Sequence, residues 1–140
     1  MDATLTCRGV TLRRSDYFTL GPLDLTLERG VTCLVGPNGA GKTTLFRIIT
    51  GLETAGTGTV DILGGALGYL PQDPILPQRA TATQFLEYVG WLQKVPREEL
   101  SSAVSGALSQ VGLTEKADQP VRALSGGMQR RLGIAQALVH

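Results

Sequence analysis

Nine consecutive residues, Gly36 to Thr44, read GPNGAGKTT, and their spacing suits the holding of phosphates. Gly36, Gly41, Lys42 and Thr43 stand at the fixed positions of G-x-x-x-x-G-K-[ST]. The glycines Gly36, Gly39 and Gly41 allow backbone conformations closed to other residues, so successive N–H groups can face one concavity. A helix starting at Gly41–Lys42 adds the positive end of its dipole. Lys42 supplies a mobile charge for β- and γ-phosphates, and the Thr43 hydroxyl is a ligand for Mg²⁺.

The bland alternative is a glycine-rich turn that binds nothing, and the flanking residues argue against it. Val31-Thr32-Cys33-Leu34-Val35 reads as a short buried strand before the loop. After it, Leu45, Ile48, Ile49 and Leu52 recur at helical spacing and Gly51 offers a stop. Strand, loop and helix is the arrangement that the motif requires.

A second run, LSGGMQ at 124–129, places Ser125 as a helix N-cap. Gly126 and Gly127 leave the first-turn N–H groups uncovered, and Leu124, Met128, Leu132, Ala135 and Val139 follow at helical spacing. Alone this is a weak signal; downstream of a phosphate loop it is a strong one.

With GYLPQ at 68–72 between them, the two runs make the chain resemble the ATP-binding subunits of ABC transporters. The resemblance covers almost the whole chain. It implies that Gly36, Pro37, Asn38, Gly39, Ala40, Gly41, Lys42, Thr43 and Thr44 hold the phosphates of ATP, with Mg²⁺ at Thr43. It implies that Gln72 senses Mg²⁺ and the γ-phosphate and faces a transmembrane permease subunit. Ser125, Gly126, Gly127 and Gln129 would contact ATP bound to the opposite subunit of a head-to-tail dimer. The form LSGGMQRRLGIAQAL, with FLEYVGWLQ upstream, resembles bacterial export-type or multidrug-type subunits most.

Three departures qualify the resemblance. In the family an Asp, a Glu and a switch His follow the signature helix, whereas here the last carboxylate is Asp118 and His140 stands too early. No catalytic acid is therefore expected in these residues, and ATP binding without turnover is the alternative reading. The same absence predicts an incomplete sheet, with the 31–35 strand as an open edge and a marginal or self-associating chain. The adenine-stacking aromatic is displaced: Arg13 or Arg14 falls near its position, and Tyr17 is the preferred candidate. The Lys42–Gln72 interval is also short, which implies a trimmed edge hairpin.

The elements that must position these residues follow from pattern. Residues 4–12 and 18–27 read as strands, and Leu23, Leu25 and Leu27 alternate with polar residues as in a sheet with one wet face. Residues 57–63 and 66–70 read as further strands. Helices are expected from Thr81, with Phe85, Val89, Leu92 and Tyr88 inward, from Pro96 to Val111, and from Ser125. Tyr88 and Trp91 take core as their default, with docking of a permease helix as the alternative. The expected fold class is α/β, a P-loop NTPase core of the ABC-type ATPase with an antiparallel β edge and an inserted helical subdomain. The core spans 1–77 and the helical subdomain 78–140.

Composition sets the outer limits. At 140 residues, 42% hydrophobic and 18% charged, the chain is an ordinary globular domain. A net charge of +1 gives no electrostatic case for nucleic acid, and Arg130-Arg131 reads as a solvated helix face. Cys7 and Cys33, without metal-ligand spacing, read as buried, reduced thiols of a cytoplasmic protein. No apolar run approaches a membrane span, and the N-terminus lacks a signal peptide's pattern. A membrane role would therefore be peripheral, through the permease. Non-transport relatives are disfavoured, because only two ordinary helices fit between Gln72 and the signature.

Overall fold

The computed structural model describes residues 3–64 and 67–140, which divide into two compact units, Met1–Gly65 and Ala66–His140. The first unit is built on β1 (Ala3–Ser15), β2 (Phe18–Glu28) and β3 (Thr57–Ile62), an antiparallel sheet in the order β2-β1-β3. Register is set by the apolar alternation: Cys7 lies opposite Leu25 on one side and Val60 on the other. Along β2 the expected wet face is present, with Leu23, Leu25 and Leu27 half-buried and Asp24 and Thr26 exposed. Helix α1 (Lys42–Ile49) packs Ile48 with Cys7 and Val10, and partly buried Leu5, Leu20 and Val60 surround them. Gly51 stops the helix as expected, with its N–H on the Ile48 carbonyl at 3.1 Å.

The second unit is helical: α2 (Ala82–Leu92), α3 (Arg97–Gln110) and α4 (Gly126–Leu138), with 3₁₀ turns at Thr114–Lys116 and Val121–Ala123. Thr81 and Gln84 form a reciprocal capping box at the start of α2, at 3.1 and 3.0 Å. Chain reversal after α3 is closed by Leu113 N–H on the Leu108 carbonyl at 2.9 Å. Arg131 of α4 donates to the carbonyls of Val111 and Gly112 at 3.0 and 3.3 Å, a cation at the helix's negative end. That pairing gives Arg131 a definite partner where the sequence implied only a solvated face. Leu86, Leu113, Leu132, Val121 and Val139 are fully buried at the centre of this unit.

Several expectations are corrected. Residues 31–35 form no strand: among the described residues nothing pairs with them, and Val31 is 97% exposed. Their β-branched character supplies propensity, but a strand exists only through a ladder partner. Cys33 lies on this segment and is exposed, while Cys7 is buried. The 66–70 strand is absent over 67–70, and Ala66 lies outside the described residues. Leu52 is exposed beyond the end of α1.

On α2 the buried stripe runs through Ala82, Phe85, Leu86, Val89 and Gly90, leaving Tyr88, Trp91 and Leu92 exposed. Gly90 stands in the stripe because its neighbours come close. A Cβ on Gly90 would lie 2.4 Å from Leu100 Cδ1 and 2.9 Å from Val139 Cγ1. Tyr88 and Trp91 stack on each other outside, ring centroids 6.2 Å apart.

The cysteine contrast gives a direct test. Burial pushes the Cys7 thiol above its ordinary value. At about pH 8, near the ordinary thiol range, Ellman's reagent should titrate one equivalent rapidly, at Cys33, and the second only after denaturant is added. Two fast equivalents would contradict the placement of Cys7. The sign for stability follows: Cys7's contribution is full below the ordinary thiol range and is lost as pH rises through its elevated value.

Candidate functional site

The phosphate loop lies in the first unit. Ala40 N–H closes a turn on the Pro37 carbonyl at 3.3 Å, and Gly39 takes φ 83°. Gly41 is the N-cap of α1 at φ 96°, and a Cβ there would lie 2.9 Å from both Leu20 Cδ1 and Phe18 Cζ. Only glycine meets both demands, conformation and space. Gly36 does not share this constraint: its φ is ordinary and a Cβ would make only a 3.6 Å contact with Ala40.

No side chain caps α1 and no acid sits in its first turn. The opening N–H groups, at Lys42, Thr43 and Thr44, therefore face outward with the helix dipole behind them. Lys42 Nζ donates to the carbonyls of Gly36 and of Pro37, the latter at 2.7 Å, and so holds its charge across the loop. Thr43 is exposed, whereas Thr44 is buried, so Thr44 offers the loop its backbone and not its hydroxyl. Asn38 and Ala40 are exposed along the loop. Tyr17 projects from the β1–β2 turn at 99% exposure, its N–H on Ser15 Oγ at 3.2 Å. Its neighbour Phe18 packs against the loop at Gly41, which puts the turn beside the phosphate cradle.

The second unit holds the other two motifs, and Gln72, assigned to the core on sequence, falls here. Gln72 is exposed at a groove of about 570 Å³ that Leu70, Asp73, Gly126, Gln129, Arg130 and Ile134 also line. Two glycines allow this closeness. A Cβ on Gly68 would fall 1.9 Å from the Ala137 carbonyl oxygen, and one on Gly133 would press Leu70 and Pro74 at 3.2 Å. Sequence reasoning missed the role of Gly133, for which a glycine inside a helix was the available signal.

Ser125 Oγ accepts the Met128 N–H at 3.3 Å, the expected N-cap, and keeps its own hydrogen to donate. Gly126 and Gly127 are exposed, and a Cβ on either would meet nothing within 4 Å. Among the described residues no neighbour requires glycine there. Gln129 is engaged internally: its amide donates to the carbonyls of Val121 and Leu124 at 3.2 and 3.1 Å, bracing the turn before α4.

Among the described residues no group of three His, Cys, Asp or Glu side chains could hold a metal. The candidate Mg²⁺ donors, Thr43 and Gln72, are exposed oxygen donors without charge. Thr43, at the phosphate loop, suits a hard cation that arrives with phosphates and keeps its waters. Bound there, Mg²⁺ would neutralise phosphate charge.

An uncapped helix behind a glycine-shaped loop, with a lysine folded across it, defines a P-loop nucleotide-binding protein. Comparison narrows the class. A family profile described as "ABC transporter" matches residues 20–140, and the chain belongs to that family. An ABC transporter ATP-binding protein of Bacillus subtilis, YxlF, is 40% identical over 81% of this chain and 40% of its own length. The Nod factor export ATP-binding protein I of Ralstonia nicotianae is 33% identical, covering 97% of this chain and 46% of its own. The zinc import ATP-binding protein ZnuC of Chromohalobacter salexigens is 36% identical, covering 96% and 55%. The structure of cbiO1 from Clostridium perfringens, part of the ABC transporter complex cbiONQ, superposes with a TM-score of 0.80 at 26% identity. It covers 99% of this chain and 62% of that one. The chain thus spans about half the length of the curated relatives it matches.

Proposed function

We propose that this chain binds ATP with Mg²⁺ as part of the nucleotide-binding subunit of an ABC transporter. The observation that carries the reading is the uncapped N-terminus of α1 behind Gly41, with Lys42 drawn across the loop. The N–H groups at 42–44 take phosphate oxygens, and Lys42 exchanges its two carbonyl partners for phosphate, a stronger acceptor because it is charged. Thr43 ligates the Mg²⁺ that accompanies the phosphates, and Gln72 is assigned the sensor role that the family resemblance implies. Tyr17, exposed beside the loop, stacks on the base.

The signature half acts across a dimer in this reading. Ser125 retains a hydroxyl donor, and the open surroundings of Gly126 and Gly127 admit a phosphate held by the opposite subunit. Gln129 supports that turn from behind. A transmembrane permease is the partner in this reading, as the ABC transporter family match suggests. The subunit then sits at the cytoplasmic face. Export is the direction we assign, on the form of the signature helix and the Nod factor export relative. A zinc importer matches at similar identity, so flux of substrate in membrane vesicles is the deciding measurement.

Calorimetric titration tests the binding step. ATP should bind saturably and more tightly with Mg²⁺ than with EDTA. Thr43→Ala should remove that Mg²⁺ enhancement, about tenfold for one charge-assisted contact, and leave Mg²⁺-free binding in place. No binding of ATP under either condition would sink the reading.

A further inference from the structure

One carboxylate in the first unit joins three elements, and neither the phosphate loop nor the family match accounts for it. Glu53, on the connection between α1 and β3, accepts from Arg14 Nη2 near the end of β1 at 2.5 Å. It also faces Arg47 Nε, in the last turn of α1, at 3.4 Å. Its side chain is 21% exposed, against 44% for Arg14 and 49% for Arg47. The backbone holds the same junction: Glu53 N–H donates to the Arg47 carbonyl at 3.1 Å, and Gly56 N–H to the Thr11 carbonyl at 2.7 Å.

Arg14 leads directly into the turn that presents Tyr17. That turn has two anchors to the helix behind the phosphate loop. Phe18 packs on Gly41 at the N-terminus of α1, and Arg14 reaches Arg47 at its C-terminus through Glu53. The Tyr17 ring is almost wholly exposed, so only the backbone of its turn fixes where it stands.

We propose that Glu53 is a positioning residue for the base side of the nucleotide site, resting on the reading that phosphates bind at 36–44. Through Arg14 and Arg47 it sets the distance between the aromatic turn and the phosphate loop. Glu53 touches neither base nor phosphate. It acts on the part of the affinity that depends on having a base. It also keeps the Arg14 guanidinium, itself able to stack on a base, committed elsewhere.

The test separates base from phosphate by titrating the chain with ATP and with inorganic tripolyphosphate, each with Mg²⁺. Glu53→Gln should weaken ATP about fivefold, the most that a partly exposed ion pair supplies, and leave tripolyphosphate unchanged. Arg14→Gln should do the same, and the double variant should lose no more than either single one, as expected of one shared interaction. Arg14→Gln carries the test by itself if Glu53→Gln does not fold. Equal weakening of both ligands would mean a loosened loop and overturn the inference, as would unchanged or tighter ATP binding. If the wild-type chain binds neither ligand, the phosphate-site reading fails and this inference with it. If it binds both and the ratio does not move, this inference alone fails.

Discussion

Lys42→Ala is expected to weaken ATP binding by about 100-fold or more, which takes it out of range of a micromolar titration. Among the described residues the ammonium is the only side-chain cation bonded to the loop's carbonyls, and it supplies charge-assisted bonds that water matches poorly once phosphate is seated. What remains in the variant is the N-terminus of α1, whose dipole contributes less than a full charge. Lys42→Arg should rescue little. The Lys42 ammonium meets two successive carbonyls as a compact point charge, and a planar guanidinium fork cannot reproduce that approach. Folding should be nearly unaffected, within about 0.5 kcal/mol, because the carbonyls of Gly36 and Pro37 are exposed and water replaces the lost donor. Calorimetry on both variants, with far-UV circular dichroism as the folding control, decides the matter. Unchanged affinity in Lys42→Ala would refute the phosphate-loop assignment.

The loop was legible because its requirements are local. Glycine at 41 answers to a left-handed backbone angle, which the residue type reports, whereas the approach of Phe18 and Leu20 shows only in the fold. The helix ends at Ser125 and Gly51 were legible for the same reason: each acts within a few residues of itself. The strand pattern of β2 survived because alternation encodes a face.

What the residues did not announce depends on distant partners. Val31 to Val35 have strand character but no ladder among the described residues, and propensity cannot supply one. On α2 the predicted Phe85 and Val89 do face inward, but Tyr88 and Leu92 are exposed, and Gly90, on which Leu100 and Val139 close in, takes a place on the inner stripe. The groove joining Gln72 to the signature helix depends on Gly68 and Gly133, whose role appears only once both segments are placed. Glu53 belongs with these, since Arg14 and Arg47 meet it from elements that the sequence does not juxtapose.

Leu132→Ala should be strongly damaging to the helical unit. Leu132 is fully buried on α4, in the cluster that includes Leu86, Leu113 and Val121, and a cavity there has no solvent route to collapse into. Truncation is expected to cost about 3–4 kcal/mol, a large share of the stability of a small domain. In a unit this size that corresponds to a drop in melting temperature of roughly 15–25 °C. The same helix supplies the control. Ile134 is 44% exposed on the groove wall, and Ile134→Ala should cost under about 1 kcal/mol, because half of its surface already meets water. Trp91, the single tryptophan, lies in this unit and reports its unfolding in urea. Near-equal midpoints for the two variants would mean that α4 does not seat Leu132 inward. The consequence reaches the site, because α4 begins at Gly126 and its N-cap is Ser125. In the proposed function, the signature turn presents its hydroxyl and N–H groups to a phosphate only while the helix behind it is held by this core.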